Sequence, residues 1–424
     1  MKSQKLTTWI FLAMLAGIVV GYLCNQMIPD PKTAKTVAGY ISLLTDIFLR
    51  LIKMIIAPLV FSTLVVGIAH MGDTKSVGRV GLKAIGWFVL ASLVSLLLGL
   101  ALVNILQPGV GLNLPLPDAA SSTNLKTSSL SLKEFVTHLV PRSVIEAMAT
   151  NEILQIVVFS IFFGVAASSL GERAKTIVAW IDDLAHIMLK ITGAVMLFAP
   201  VAVFAAMASI ITTQGLGILV TYGTFMSEFY FGLLVLWVVL AFVGFLFLGT
   251  SIFRLLGLLK EPLALAFSTA SSEAAYPKTL EQLSKFGVNR KISSFVLPMG
   301  YSFNLDGSMM YCTFAVIFIA QAYGIKLPVA QQITMLLILM LTSKGMAGVP
   351  RASLVVIAAT LASFDIPEAG LLLIMGIDQF LDMGRSATNV IGNGIATSVV
   401  AKWEGELRPP PEEEPRVGLQ PAPA

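Results

Sequence analysis

Charge is scarce in this chain of 424 residues: Asp, Glu, Lys and Arg together make up 12% of it, about half the share found in soluble domains. A water-covered surface of the ordinary kind cannot be built from so little. Cysteine is nearly absent as well. Cys24 and Cys312 both lie in apolar surroundings, which excludes a disulfide framework and a cysteine-based metal site. The three histidines, His70, His138 and His186, are far apart and form no metal-ligand spacing. The net charge of +4 is spread over alternate loops, which argues against a nucleic-acid partner.

Hydrocarbon fills the remainder: 56% of the residues are apolar and the mean hydropathy is +0.85. Such a composition suits lipid-facing helices, since a central Asp, Lys or Arg costs about 2.5–3.5 kcal/mol on insertion scales. The expected class is a multi-pass membrane protein. A first apolar stretch at 8–28 follows Lys2 and Lys5. It is too long for a signal peptide and has no clear small-residue cleavage site, so it reads as a retained helix. Further stretches fall at 40–70, 80–107, 135–170, 176–213 and 217–253, separated by a polar segment at 108–133 that reads as an external loop. Lys75, Arg79, Lys83, Arg173, Lys175, Arg254 and Lys260 mark alternate connections. The positive-inside rule then puts both termini in the cytoplasm.

The second half departs from simple crossings. The segment 261–285 is bracketed by Lys260 on one side and Lys285, Arg290 and Lys291 on the other, so both its ends lie on the same face. Its centre, Ser268-Thr-Ala-Ser-Ser-Glu-Ala-Ala-Tyr-Pro277, is too polar for lipid. It reads as a re-entrant hairpin with an irregular tip. A helix at 292–322 follows, then a second broken stretch at 328–364 centred on Ser343-Lys-Gly-Met-Ala-Gly-Val-Pro350, then a last helix at 369–402. Pro409 to Ala424 is rich in Pro and Glu and reads as disordered. The predicted fold is an all-α membrane protein of eight transmembrane helices and two re-entrant helical hairpins of opposite orientation. Secondary transporters use such inverted repeats, with broken helix ends meeting near the bilayer midplane.

The last helix carries Asp378, Asp382, Arg385, Ser386, Asn389 and Asn393, and at 3.6 residues per turn they share an arc of ~100°. A buried polar stripe can glue helices together. For Asp382 with Arg385 a substrate or ion path is the stronger reading, because ions inside a membrane are expensive. On the helix at 292–322, Asn304, Asp306 and Ser308 bracket Gly307. That is either a plain glycine kink or an unwound segment whose carbonyls and carboxylate suit a hard cation. Arg385 can take a carboxylate with bidentate geometry and Asp382 an ammonium, which points to an acidic amino acid.

On four segments the chain resembles the glutamate/aspartate transporter family, the dicarboxylate/amino acid:cation symporters of the proton/sodium-glutamate type. These are Ser271-Ser-Glu-Ala-Ala-Tyr-Pro277, Asn304-Leu-Asp-Gly-Ser308, Gly345-Met-Ala-Gly-Val-Pro350, and Asp382-Met-Gly-Arg-Ser-Ala-Thr-Asn389 with Gly392-Asn393. They come in family order, and the likeness covers nearly the whole chain. It implies a homotrimer in the cell inner membrane working as an elevator-type transporter. Residues 1–71 and 133–213 would form a static scaffold. The mobile domain would comprise 78–107, 217–253, the first hairpin at 255–285, helix 291–323, the second hairpin at 326–365 as external gate, and helix 368–403. The segments 108–132 and 404–424 would be an external loop and a cytoplasmic tail.

Carried over by the resemblance, Ser272, beside Ser271 on the first hairpin, and Asn389 hold the substrate α-carboxylate. Asp382, Ser386 and the carbonyl of Val349, next to Gly348, face its amino group. Arg385, Ser308 and the backbone near Ser353 receive its side-chain carboxylate. Cation positions map to the carbonyls of Gly300 and Asn304, to Asp306 and Asn389, to the tip around Ser343, and to Asn393. No cofactor is implied beyond the coupling ions, protons or sodium.

Several positions depart from the sodium-coupled pattern. Asn393 stands where those members have Asp, Phe88 and Ala91 where they have Tyr and Thr, and Met346 where they have Thr. Each change removes an oxygen or a negative charge from a sodium cage, which favours protons, or protons with fewer sodium ions. Cys312 after Tyr311 closes a route that some relatives give to a Glu. Glu273 becomes the candidate proton carrier, with a plain hydrogen bond to the other hairpin as its equal alternative. Ala270 and Arg351 also depart, removing one cation near the site and adding another. The expected activity is symport of glutamate or aspartate. A C4-dicarboxylate symporter is the rival, against which Asp382 argues by repulsion. An intramembrane enzyme lacks a second carboxylate on a catalytic motif, and a passive channel would not accumulate its substrate uphill.

Overall fold

The computed structural model describes residues 3–69, 74–110, 137, 140–216, 222–343, 352–375 and 377–408. Most of the expected external loop, His70, His138, the second hairpin's tip with Met346, Gly348, Val349 and Arg351, and the tail beyond 408 lie outside the described residues. Among the described residues the chain is helical and has no strand. A single isolated bridge pairs Val288 with Leu407.

The first helices are α1 (Ser3–Met27), α2 (Pro31–Ala69), α3 (Thr74–Leu106), α4 (Val144–Thr150), α5 (Ile153–Leu170), α6 (Lys175–Val195) and α7 (Ala199–Gln214). After α8 (Gly223–Leu248) come α9 (Ser251–Thr269), α10 (Tyr276–Phe286), α11 (Arg290–Phe303), α12 (Asp306–Ala322), α13 (Val329–Thr342), α14 (Ala352–Ser363), α15 (Leu371–Met375) and α16 (Asp378–Trp403). Among the described residues, six helical stretches are long and apolar enough to cross a membrane: Thr8–Met27, Pro31–Ala69, Lys75–Leu106, Ile153–Val195, Gly223–Leu248 and Arg290–Ala322.

Several expected single helices are in fact interrupted. The 135–170 stretch breaks at Asn151, left-handed with φ 56°. The 176–213 stretch tightens into a 3-10 turn at Met196–Phe198, ahead of Pro200. The last helix begins at Asp378, after the separate short α15. The 292–322 helix breaks at Asn304 and Leu305, where ψ swings to 63° and 62°. Gly307, the weak point that the sequence offers for a kink or an unwound segment, lies just beyond the break, inside α12.

Small residues set the packing of the first group. α1 lies on α7, and a Cβ added to Gly17 or Gly21 would stand 2.5 Å from the Phe204 carbonyl oxygen or 2.7 Å from that of Ala208. Gly17 and Gly21 are spaced four apart, so their bare backbone forms one groove that admits α7. Hydroxyls and amides then reach backbone carbonyls across helices: Asn25 Nδ2 donates to Thr212 O (3.0 Å), Thr45 Oγ1 to Ala202 O (2.9 Å) and Ser209 Oγ to Ala38 O (3.0 Å). α2 also packs on α5 and α6.

The second group surrounds α16, which packs on α8, α9, α11 and α12, while α12 leans on α3. The α11–α12 stretch is almost wholly buried, so its polar residues face protein and the freed backbone at 304–305 is sheltered from lipid. The two groups meet where α2 packs on α11 and on the turn before α10, and there Thr63 Oγ1 lies 3.4 Å from Tyr276 Oη.

Beyond α16 the chain forms a short strap. Glu404 receives Arg79 Nη2 (2.8 Å) and Lys83 Nζ (2.7 Å) from α3. Glu406 pairs with Lys291 and accepts from Asn289 Nδ2 (2.8 Å). Arg408 N donates to Gly287 O (2.9 Å).

Candidate functional site

The break between α11 and α12 builds the site. It leaves the first N–H groups of α12 without intrahelical partners. Asn389 of α16 serves them: its Oδ1 accepts from Gly307 N (2.9 Å) and Ser308 N (3.4 Å), while its Nδ2 donates to Ser308 Oγ (3.1 Å). Arg385 Nη1 donates to the same Ser308 Oγ (3.1 Å). Arg385 Nε lies 2.6 Å from Asp382 Oδ1, with both side chains fully buried. One face of α16 and the first turn of α12 thus hold Ser308, Asp382, Arg385 and Asn389 together. A buried ion pair of this kind resists removal of either member, since the survivor would be an uncompensated charge costing about 3–5 kcal/mol.

A second cluster lies beside the first. Asn304 Nδ2 donates to Asp306 Oδ2 (3.2 Å) and to Asn393 Oδ1 (3.3 Å), and all three residues are buried. Two glycines make room for the oxygens. A Cβ on Gly300 would stand 2.1 Å from Asn393 Oδ1, and one on Gly392 would stand 1.9 Å from Asp306 Oδ2. The set offers one carboxylate plus amide and carbonyl oxygens, which suits a hard cation of low charge. From α3, Ser92 Oγ donates to Phe303 O and Ser95 Oγ to Asp306 Oδ1, each at 3.4 Å. The sequence reading fixed on Phe88 and Ala91 and missed these hydroxyls, one helical turn away from each.

The first hairpin supplies a different chemistry. α9 ends on Ala270, left-handed with φ 52°, and Ser271 N turns back to Ala266 O (3.2 Å). Ser271 Oγ accepts from Ala274 N (3.3 Å), so its hydroxyl closes the tip. Ser272 Oγ is buried and has no hydrogen-bond partner among the described residues. Ser386 Oγ on α16 is in the same condition. Glu273 is nearly buried and, with Lys53 of α2, lines a cavity of about 30 Å³. Ser343, at the end of the second hairpin's first arm, is buried and donates to Met340 O (3.3 Å). Ser353, on the second arm, is buried beside Cys312.

Cys312 corrects the sequence reading. Far from lying in purely apolar surroundings, its thiol stands beside Ser353 and within electrostatic reach of Arg385, Asp382 and Asp378. Asp378 itself accepts from Tyr311 Oη at 2.6 Å. The i, i+4 spacing of Asp378 and Asp382 was legible, whereas their meeting with Tyr311 and Cys312 depends on how α12 is rotated against α16. α8 completes the wall: Trp237 Nε1 donates to Thr388 Oγ1 (2.7 Å) and Tyr230 Oη to Phe380 O (2.6 Å).

Comparison with known proteins finds relatives along nearly the whole chain. The model of the sodium:dicarboxylate symporter family matches residues 6–403. A relative from Citrifermentans bemidjiense, named C4-dicarboxylate transport protein, is 42% identical over 96% of this chain and 93% of its own length. Another from Bacillus caldotenax, named proton/sodium-glutamate symport protein, is 41% identical over 96% of both chains. One of the same name from Bacillus subtilis is 38% identical over 96% of this chain and 95% of its own.

Proposed function

The chain belongs to the sodium:dicarboxylate symporter family, and from that premise we propose that it imports glutamate or aspartate in symport with cations. It is a multi-pass membrane transporter and not an enzyme. The observation that carries the substrate reading is the Asp382–Arg385 pair, buried at 2.6 Å beside Ser308 and Asn389. An acidic amino acid is the ligand that satisfies both members: its side-chain carboxylate replaces Asp382 on the guanidinium, and its ammonium neutralises the Asp382 carboxylate so released. Asn389 and the buried Ser272 hydroxyl take the α-carboxylate, and Ser386 with the Val349 carbonyl the amino group. Ser308 and the backbone near Ser353 assist Arg385, with Ser271 and Gly348 as further substrate-binding positions.

In this reading the coupling cation uses the oxygens of Gly300, Asn304, Asp306, Asn389 and Asn393, with Ser343 at the gate. Protons carry part or all of the coupling, because Asn393 brings an amide where a carboxylate would strengthen a sodium cage. The packing of α1, α2, α5, α6 and α7 on one side, and of α3 with α8–α16 on the other, supports an elevator movement between scaffold and transport domain. We place the protein in the cell inner membrane as a homotrimer with both termini cytoplasmic. Lipid covers outward residues such as Leu15, Val19, Val238 and Phe242, all of them exposed in the single chain.

The names of the relatives favour a second reading equally, a C4-dicarboxylate symporter for succinate, fumarate or malate. Uptake of labelled aspartate, glutamate and succinate into proteoliposomes separates the two, with proton and sodium gradients imposed one at a time. The amino-acid reading expects aspartate or glutamate to accumulate under an inward proton gradient. It also expects Asp382→Ala to lose that uptake by about a hundredfold, the ammonium having lost a charged partner worth about 1.5–3 kcal/mol. Succinate uptake that survives Asp382→Ala, with no amino-acid uptake by the parent protein, gives the dicarboxylate reading instead.

A further inference from the structure

Asp378 shares the polar face of α16 with the substrate pair and has no task in the function proposed above. Its surroundings give it one. Asp378 and Tyr311 are both fully buried, and Tyr311 Oη donates to Asp378 Oδ1 at 2.6 Å. The groups facing this carboxylate come from several elements. α12 brings Tyr311 and Cys312, and α16 itself brings Asp382 and Arg385. α14 brings Ser353, whose buried hydroxyl lies beside Cys312. α8 brings the Phe229 ring, 5.6 Å from that of Tyr311, and Tyr230, whose hydroxyl is committed to Phe380 O. α15 is Leu-Leu-Leu-Ile-Met and brings nothing that titrates.

We propose that Asp378 is the proton-binding carboxylate of this symporter, with Tyr311 as the partner that serves it in both protonation states. This rests on the symport reading above. A phenol is suited to the task because its hydroxyl both donates and accepts. It donates to the carboxylate, and after rotation about the C–O bond it accepts from the acid, so no buried group is stranded when the proton arrives. The coupling to substrate follows from charge. α16 brings two carboxylates and one guanidinium into this buried cluster. When the substrate's side-chain carboxylate takes Arg385, the positive field around Asp378 weakens and a new anion enters the same low-dielectric space. Both changes raise the affinity of a neighbouring carboxylate for a proton. By linkage, a bound proton raises the affinity for the anionic substrate by the same factor. Substrate and proton therefore load together, as symport requires.

The test uses purified protein in proteoliposomes with no sodium gradient. Two assays are run: accumulation of labelled aspartate or glutamate under an inward proton gradient, and exchange of labelled for unlabelled substrate with no gradient. The variants are Asp378→Asn, which mimics the protonated acid, Tyr311→Phe, and Glu273→Gln at the hairpin tip. Asp378→Asn is expected to lose gradient-driven accumulation by about tenfold or more while keeping exchange, because the neutral form that loads with substrate is then permanent. Glu273→Gln, at the rival proton carrier that the sequence offers, is the contrast: it is expected to keep gradient-driven accumulation when Asp378 is the carrier. Tyr311→Phe is expected to move the midpoint of the pH profile upward, since a carboxylate that loses a donor holds its proton more tightly.

An infrared difference spectrum should show the carbonyl stretch of a protonated carboxyl on substrate addition in the parent protein, and lose it in Asp378→Asn. Parental gradient response in Asp378→Asn, or loss of that response in Glu273→Gln alone, overturns the assignment. If Asp378→Asn does not fold, the Tyr311→Phe profile decides, and an unshifted midpoint overturns it. A parent protein that ignores the proton gradient and accumulates under sodium alone is a different failure, that of the proton coupling on which the proposal stands.

Discussion

At the scale of single residues, Ala270 shows how the first hairpin pays for its tip. It is an alanine in the left-handed region, φ 52° and ψ 30°, where α9 must stop so that Ser271 N can turn back to Ala266 O. An L-residue there costs about 1–2 kcal/mol relative to right-handed backbone, and glycine removes most of that cost. Ala270→Gly is therefore expected to raise thermal stability in detergent by about 1 kcal/mol. A lower melting temperature would mean that the buried Ala270 methyl, packed with Met207 and Met383, contributes more than the backbone strain costs.

The elements divide into those that the sequence announces and those that only packing decides. Hydropathy locates the long spans, and the polar run at 268–277 marks where α9 gives way to α10, because uncompensated polar groups are excluded from lipid. The stripe from Asp378 to Asn393 is legible from helical periodicity alone. Other features depend on contact. Asn389 caps α12 across a helix interface, Ser95 reaches Asp306, and Gly300 and Gly392 admit oxygens. None of these has a local signature, since each depends on the rotation of one helix against another. The break at Asn304 was displaced in the sequence reading because Gly307 is the more obvious weak point. The Gly17 and Gly21 spacing on α1 was a signal available in the sequence and passed over.

The junction between α3 and the strap is a prediction at the same scale. Burial raises the Glu404 carboxyl, but hydrogen bonds from Arg79 and Lys83 outweigh it, and the group is held below its ordinary value. A carboxyl depressed in the folded state contributes its full stability above the unfolded pKa and loses it as pH falls through the folded one. Melting curves of the parent protein should therefore weaken below about pH 4.5. Glu404→Gln should be less stable at neutral pH by about 1 kcal/mol, its partners being partly exposed, and the gap between the two should close on acidification. A constant gap across that range would show that the ion pairs do not carry the effect.

At the scale of the whole molecule the boundary between the two helix groups is the feature to test. A Cβ placed on Gly67 of α2 would stand 3.4 Å from Ser294 Cβ of α11, close to the separation a disulfide spans. In a background with Cys24 and Cys312 replaced by Ala, the pair Gly67→Cys and Ser294→Cys is expected to cross-link on oxidation. On the elevator reading proposed above, the protein so locked should still bind substrate at the face it presents and should fail to exchange it between the two sides, with recovery on reduction. Exchange that continues in the fully oxidised protein would mean that these helices do not slide past one another during transport.

The strap beyond α16 has a practical consequence for anyone handling the protein. Residues 404–408 are sewn to α3 and to the turn before α11 through Glu404, Glu406 and the Arg408 backbone. A fluorescent reporter joined after Arg408 would hang from an anchored point and leave the stitching whole. Trimming the chain at Trp403 would strip Arg79, Lys83 and Lys291 of their acidic counterparts at once and let the final turn of α16 fray.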